Sequence, residues 1–85
     1  MGTGPTVIRG AVTRGGAPVE GAYVRLLDAD GEYTGEQRAQ RDGAFVFNTC
    51  AGDWRLVVFG HAIDRAERRA SVAPGEERVV EISLA

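Results

Sequence analysis

The chain contains no lysine, so all ten of its basic residues are arginines. Such a bias is typical of a GC-rich genome and assigns no mechanism. Twelve acidic residues leave a net charge of −2 and an isoelectric point near 5.3, without the basic excess of a nucleic-acid binder. The single cysteine, Cys50, excludes an intrachain disulfide and makes a reducing cytoplasm the expected compartment. No apolar run approaches the roughly 18 residues of a membrane-spanning helix, so no membrane partner is expected. The opening "MGTGPTVIRG" lacks a basic start and an apolar h-region, so nothing in it signals export. Residues 1–6 nominally fit the Met-Gly-x-x-x-Thr pattern of N-myristoylation, but residues 1–5 read better as a flexible lead-in to a strand.

What is present is glycine and alternation. Eighty-five residues make one domain with one core, placed at 6–85, and twelve glycines against three prolines signal many tight turns. Apolar positions recur with period 2. "TVIRGAVT" (6–13) alternates Ile8, Gly10 and Val12 against Val7, Arg9 and Ala11. "AYVRLLD" (22–28) sets Ala22, Val24 and Leu26 opposite Tyr23, Arg25 and Leu27. "YTGEQRAQ" (33–40) is polar and reads as an edge strand, and "RGGAPVEG" (14–21) reads as a loop. "AFVFN" (44–48) points Phe45 and Phe47 to one side, and "WRLVVFG" (54–60) does the same with Trp54, Leu56 and Val58. "RVVEISL" (78–84) aligns Val80, Ile82 and Leu84.

Each turn, "ADGE", "RDG" or "TCAGD", places Asp and Gly just ahead of a strand, reversing the chain so that the next apolar face meets a common core. Burial of Phe45, Phe47 and Trp54 is worth about 2–3 kcal/mol each. The segment "HAIDRAERRASV" (61–72) fits either a short helix, with Ile63, Ala66 and Ala70 at i, i+3 and i+7, or a loop leading into a strand at "RRASVA". The second reading is preferred. It completes seven strands, and the expected fold is all-β, a two-sheet Greek-key sandwich.

The pattern Gly10-x-Val12, Gly16, Pro18-Val19, Gly21-Ala22, Val24-x-Leu26, Asp42-Gly43-x-Phe45-x-Phe47 and Trp54-x-Leu56-x-Val58 resembles the carboxypeptidase regulatory-like domain, a transthyretin-like sandwich of seven strands. That resemblance implies a fold and almost nothing about chemistry. Within it, "AYVRLLDADGEYTGE" and the Gly-x-Phe-x-Phe strand are similar to small bacterial sulfur-metabolism accessory proteins associated with rhodanese-type sulfurtransferases. No counterpart of "HAIDRAERRASVAPGEE" is placed in those proteins. The hydroxyisourate hydrolases share the transthyretin-like fold but use more than one histidine and a C-terminal Tyr-Arg-Gly-Ser; this chain has only His61 and closes on "VVEISLA".

Residues able to carry chemistry are few. Cys50 lies in the turn "NTCAGD" with Asp53 and Arg55 at hand, and mixed charge does not activate a thiol. His61 has no second ligand at metal spacing and no nucleophile–base partner. Asp28, Asp30 and Glu32 lack the remaining ligands of a calcium loop and read as turn chemistry, as do Asp42 and Asp53. Arg65, Arg68 and Arg69 stand among Asp64, Glu67, Glu76 and Glu77 and read as a solvated mixed-charge face.

The more informative feature is the second face of two strands. If strands 22–28 and 54–60 share a sheet, Tyr23, Leu27, Val57 and Phe59 form an exposed apolar patch rimmed by Arg25 and Arg55, and such patches mark association surfaces. The expectation is therefore a non-catalytic interaction module without cofactor or metal. It self-associates, in the simplest case as a dimer, or binds an enzyme such as a sulfurtransferase. The alternative is a carbohydrate- or peptide-binding module, for which Tyr23, Tyr33 and Trp54 are the available stacking rings, although Trp54 is better used in the core.

Overall fold

The computed structural model describes residues 4–84, with no helix among them. The strands are β1 (Val7–Arg14), β2 (Ala17–Pro18), β3 (Tyr23–Leu27), β4 (Tyr33–Arg38), β5 (Ala44–Asn48), β6 (Gly52–Gly60), β7 (Ile63–Val72) and β8 (Glu77–Leu84). One sheet is built on β1, which pairs antiparallel with β5 and β2 and parallel with β8, in register from Val7↔Glu77 to Arg14↔Leu84. The other runs β4-β3-β6-β7 and is antiparallel throughout. The expected flexible stretch 1–5 and the acyl-acceptor position lie mostly outside the described residues.

The two inner faces are the ones that alternation assigns. Ile8 and Val12, Val24 and Leu26, Phe45 and Phe47, Leu56 and Val58, and Ile82 and Leu84 are all buried between the sheets. No charged or polar residue is buried with them among the described residues. Phe45 stands directly opposite Gly10 on β1, and a Cβ at Gly10 would lie 3.0 Å from the end of its ring and 1.7 Å from the carbonyl oxygen of Val80. Gly43, with φ +80, lets the turn before β5 pass close to β1; its carbonyl accepts the N–H of Val12 at 2.9 Å.

Three expectations change. There are eight strands rather than seven, because Ala17–Pro18, inside the expected loop 14–21, pairs with Arg14 and Thr13. Residues 63–72 are strand from the outset, neither helix nor a loop reaching to residue 67. A register shift between Val58 and Gly60 explains the odd spacing: both Ile63 and Ala66 pack against the core although three residues apart, which a regular strand forbids and a bulge permits. Trp54 is only half-buried, packed at the edge of the core, with its indole N–H donating to the Cys50 carbonyl at 2.9 Å.

Gly10→Ala is expected to cost about 1–3 kcal/mol, because the new methyl must displace backbone as well as a ring. Ala62, the one described non-glycine residue at positive φ (58°), predicts the opposite effect: Ala62→Gly should raise stability by about 0.5–1 kcal/mol by relieving left-handed strain. Urea unfolding followed by circular dichroism measures both. A neutral Gly10→Ala would show that β8 does not approach β1 as closely as described.

Candidate functional site

Period 2 sends Tyr23, Arg25 and Leu27 outward from β3 and Arg55, Val57 and Phe59 outward from β6. The register then places them in rows: Tyr23 beside Phe59, Arg25 beside Val57, Leu27 beside Arg55. All six expected site residues therefore meet on the outer face of the β4-β3-β6-β7 sheet. Glu36 and Arg38 of β4 and Glu67 and Arg69 of β7 extend the rows on either side.

The centre of this face is a stack of rings and guanidinium groups. Tyr23 and Phe59 are stacked, with centroids 5.4 Å apart and planes 17° from parallel. Arg25 lies over Phe59 at 4.8 Å and over Tyr33 at 5.5 Å, while Arg38 lies over Tyr23 at 5.5 Å. Glu36 accepts from Arg25 at 3.0 Å and fixes its guanidinium. Between Arg25, Leu27, Tyr33, Val57, Phe59 and Arg65 runs an open groove of about 530 Å³.

The expected patch is thus corrected in two respects. Val57 is only 4% exposed, so it floors the face instead of projecting from it. Arg25 sits in the middle of the aromatics, not on their rim, because its stem lies along apolar surface while its head stays wet. What reaches solvent is chiefly Tyr33, 63% exposed, and Tyr23, 36% exposed. Tyr33, set at the start of an edge strand, is the ring that the expected patch left out.

The remaining candidates are spread apart. Cys50 is exposed in the β5–β6 turn, and His61 is exposed at the β6–β7 turn. Asp28 Oδ1 accepts the backbone N–H groups of Asp30 and Glu32, each at 2.9 Å, which is turn chemistry, and Asp42 Oδ1 accepts the N–H of Ala44 at 3.0 Å. Asp53 is not a turn residue; it lies in β6 and accepts from the Ser71 hydroxyl at 2.6 Å across to β7. Arg68 leaves the solvated face expected of it: set opposite Leu56, it turns toward the gap between the sheets and donates to the Ser83 carbonyl of β8 at 3.2 Å. No group of three metal-ligating side chains occurs among the described residues, nor any helix long and apolar enough to cross a membrane.

Fold and face together define a small all-β sandwich domain carrying one arginine–aromatic sheet face. The chain belongs to a family described as "Protein of unknown function (DUF1416)", whose model matches residues 3–85. It is similar to the uncharacterized protein Rv0814c of Mycobacterium tuberculosis, 48% identical over 60% of this chain and 52% of that one; the matched region spans about half of that relative. It is also similar to an uncharacterized protein of Mycolicibacterium smegmatis, 36% identical over 93% of this chain and 86% of the relative.

Among solved structures, it is similar to the dioxygenase domain of a dioxygenase–carbohydrate-binding protein fusion from Streptomyces sp. SirexAA-E (TM-score 0.72, 13% identity, 95% of this chain and 80% of that chain). It is also similar to the major pilin subunit of Bacillus cereus (TM-score 0.65, 10% identity, 95% of this chain and 29% of that chain). At such identities the likeness concerns the fold alone.

Cys50 contributes its backbone carbonyl to Trp54, and its side chain is exposed, so Cys50→Ser is expected to shift the thermal midpoint by no more than about 3 °C. Differential scanning calorimetry checks this. A larger loss would mean that the thiol packs against the core.

Proposed function

We propose that this chain is a non-catalytic interaction module of the transthyretin-like kind that docks a protein partner on the outer face of its β4-β3-β6-β7 sheet. The observation that carries this reading is the continuity of Tyr23, Arg25, Leu27, Arg55, Val57 and Phe59 across two neighbouring strands. Tyrosine and arginine are the residues in which binding hot spots are rich. Here the stack already holds them in place, so less side-chain freedom is lost on docking than at a loose surface.

The carbohydrate reading is less well supported. A sugar needs free ring faces; Tyr23 lies against Phe59 and Arg38, and Tyr33, with Arg25 over it at 5.5 Å, is left as a single exposed ring. Trp54 has one side packed on the core.

The likeness of residues 22–36 to accessory proteins of rhodanese-type sulfurtransferases makes such an enzyme the first partner to test, alongside a second copy of the chain. Sedimentation velocity of the chain alone and of the chain with a rhodanese-type sulfurtransferase is expected to reveal association in one arm. Phe59→Glu should abolish that association, since an unpaired charge cannot be buried at a contact. Val46→Glu, on the opposite sheet, should leave it unchanged, with circular dichroism confirming that both variants fold. A 9.0 kDa species in both arms, or association indifferent to Phe59→Glu, overturns the proposal. Where the sulfurtransferase binds, Cys50→Ser should leave its turnover within about twofold.

A further inference from the structure

The face described above is charged against the trend of the molecule. Arg25, Arg38, Arg55, Arg65 and Arg69 point outward on this sheet against three carboxylates, Glu36, Asp53 and Glu67, for a net +2 on a chain of net −2. All three carboxylates are engaged. Glu36 holds Arg25 at 3.0 Å; Glu67 is shared loosely between Arg55 at 3.9 Å and Arg65 at 4.0 Å; Asp53 takes the Ser71 hydroxyl. Arg69 has no ion pair among the described residues, and it stands directly opposite Arg55 across the β6–β7 ladder. Like charges in that position destabilise a sheet, and within the fold they are offset only by the loose Arg55–Glu67 contact at 3.9 Å and by the neighbouring Asp53.

We propose that the Arg55–Arg69 pair anchors a carboxylate side chain of an acidic protein segment, with an apolar residue of the same segment resting on the Tyr23–Phe59 stack; this rests on the reading of the sheet face as a docking surface. Phe59 lies four residues beyond Arg55 on the same strand, about 13 Å away, which suits an extended segment better than a compact ion. A second copy fits poorly. A two-fold dimer centred on the arginine pair would set it against its own symmetry mate, and such like-charge juxtaposition opposes that arrangement. The net +2 of the face and the Arg55–Arg69 pair at its margin call for an occupant of negative sign.

The probe is a fluorescein-labelled peptide of Gly and Ser in which two adjacent glutamates stand four residues from a leucine, with a twin bearing lysines in their place. Fluorescence anisotropy at low ionic strength is expected to show binding of the glutamate peptide and none of the lysine twin. Added salt should weaken that binding steadily. Arg69→Glu should weaken it about tenfold or more, while Arg9→Glu on the opposite sheet changes it less than about twofold. Absence of binding, equal binding of the twin, or indifference to Arg69→Glu overturns the inference. So does displacement by inorganic phosphate matching that by unlabelled peptide at equal ionic strength, which would reduce the pair to a simple anion site. If Phe59→Glu abolishes association with a partner while Arg69→Glu leaves it intact, the docking face stands and its acidic occupant falls. If Phe59→Glu spares the association, the face itself falls.

Discussion

Two phenylalanines filling the space left by two glycines are the constraint on which the rest of this sandwich depends. Phe45 covers Gly10 within its own sheet, where strand β8 passes too closely for any side chain. Phe47 reaches the other sheet, its ring 3.8 Å from where a Cβ would stand on Gly35 of β4. The rings lie 6.1 Å apart and tilted by 53°, so one sets the register of β1 against β5 while the other sets how the second sheet rests on the first. Sliding β5 by one residue would send both rings to solvent. The face that carries Arg25 and Phe59 is oriented by this packing, because its strands can bury Val24 and Leu56 against these rings only in one sense.

The open margins of the two sheets are held by side chains. At one margin Gln37 of β4 accepts the backbone N–H of Val46 on β5 at 3.1 Å. At the other, Arg68 of β7 donates to the Ser83 carbonyl of β8, and Arg78 of β8 donates back to the Ser71 carbonyl of β7 at 3.1 Å. Each bond is modest and partly exposed, worth about 1 kcal/mol at most. Their larger effect is to occupy edge groups that would otherwise template pairing with a second chain, which leaves the broad outer face of the β4-β3-β6-β7 sheet as the better-formed surface for contact.

Alternation made the inner faces legible from residues alone, and with them the outer face, since a strand with Val24 and Leu26 inside must hold Tyr23, Arg25 and Leu27 outside. What alternation does not carry is register across the sheet. The meeting of Arg55 with Arg69 depends on which residue of β7 lies opposite β6, and the shift near Gly60 moves that alignment by an amount no periodicity reports. The same shift disguised β7 as helical spacing. Side-chain reach was the other hidden quantity. Val57 looked exposed because it alternates outward, yet the long side chains around it close over it; Arg68 looked solvated because it is charged, yet it spans to the facing sheet. Turn chemistry at Asp28 and Asp42 needed only local sequence and was readable throughout, whereas Asp53 needed its neighbour across the ladder.

The parallel pairing of β1 with β8 has a mechanical consequence. Tension applied to the leading end of β1 and the trailing end of β8 pulls the two strands along their length in opposite directions. The ladder from Val7↔Glu77 to Arg14↔Leu84 is then loaded in shear, so its hydrogen bonds resist together instead of opening one after another. The crowded crossing at Gly10 and Val80 lies inside the ladder and opposes sliding by shape as well. Pulled in that direction, this small domain resists extension more strongly than the free energy of its core alone would suggest, and it yields in a single step.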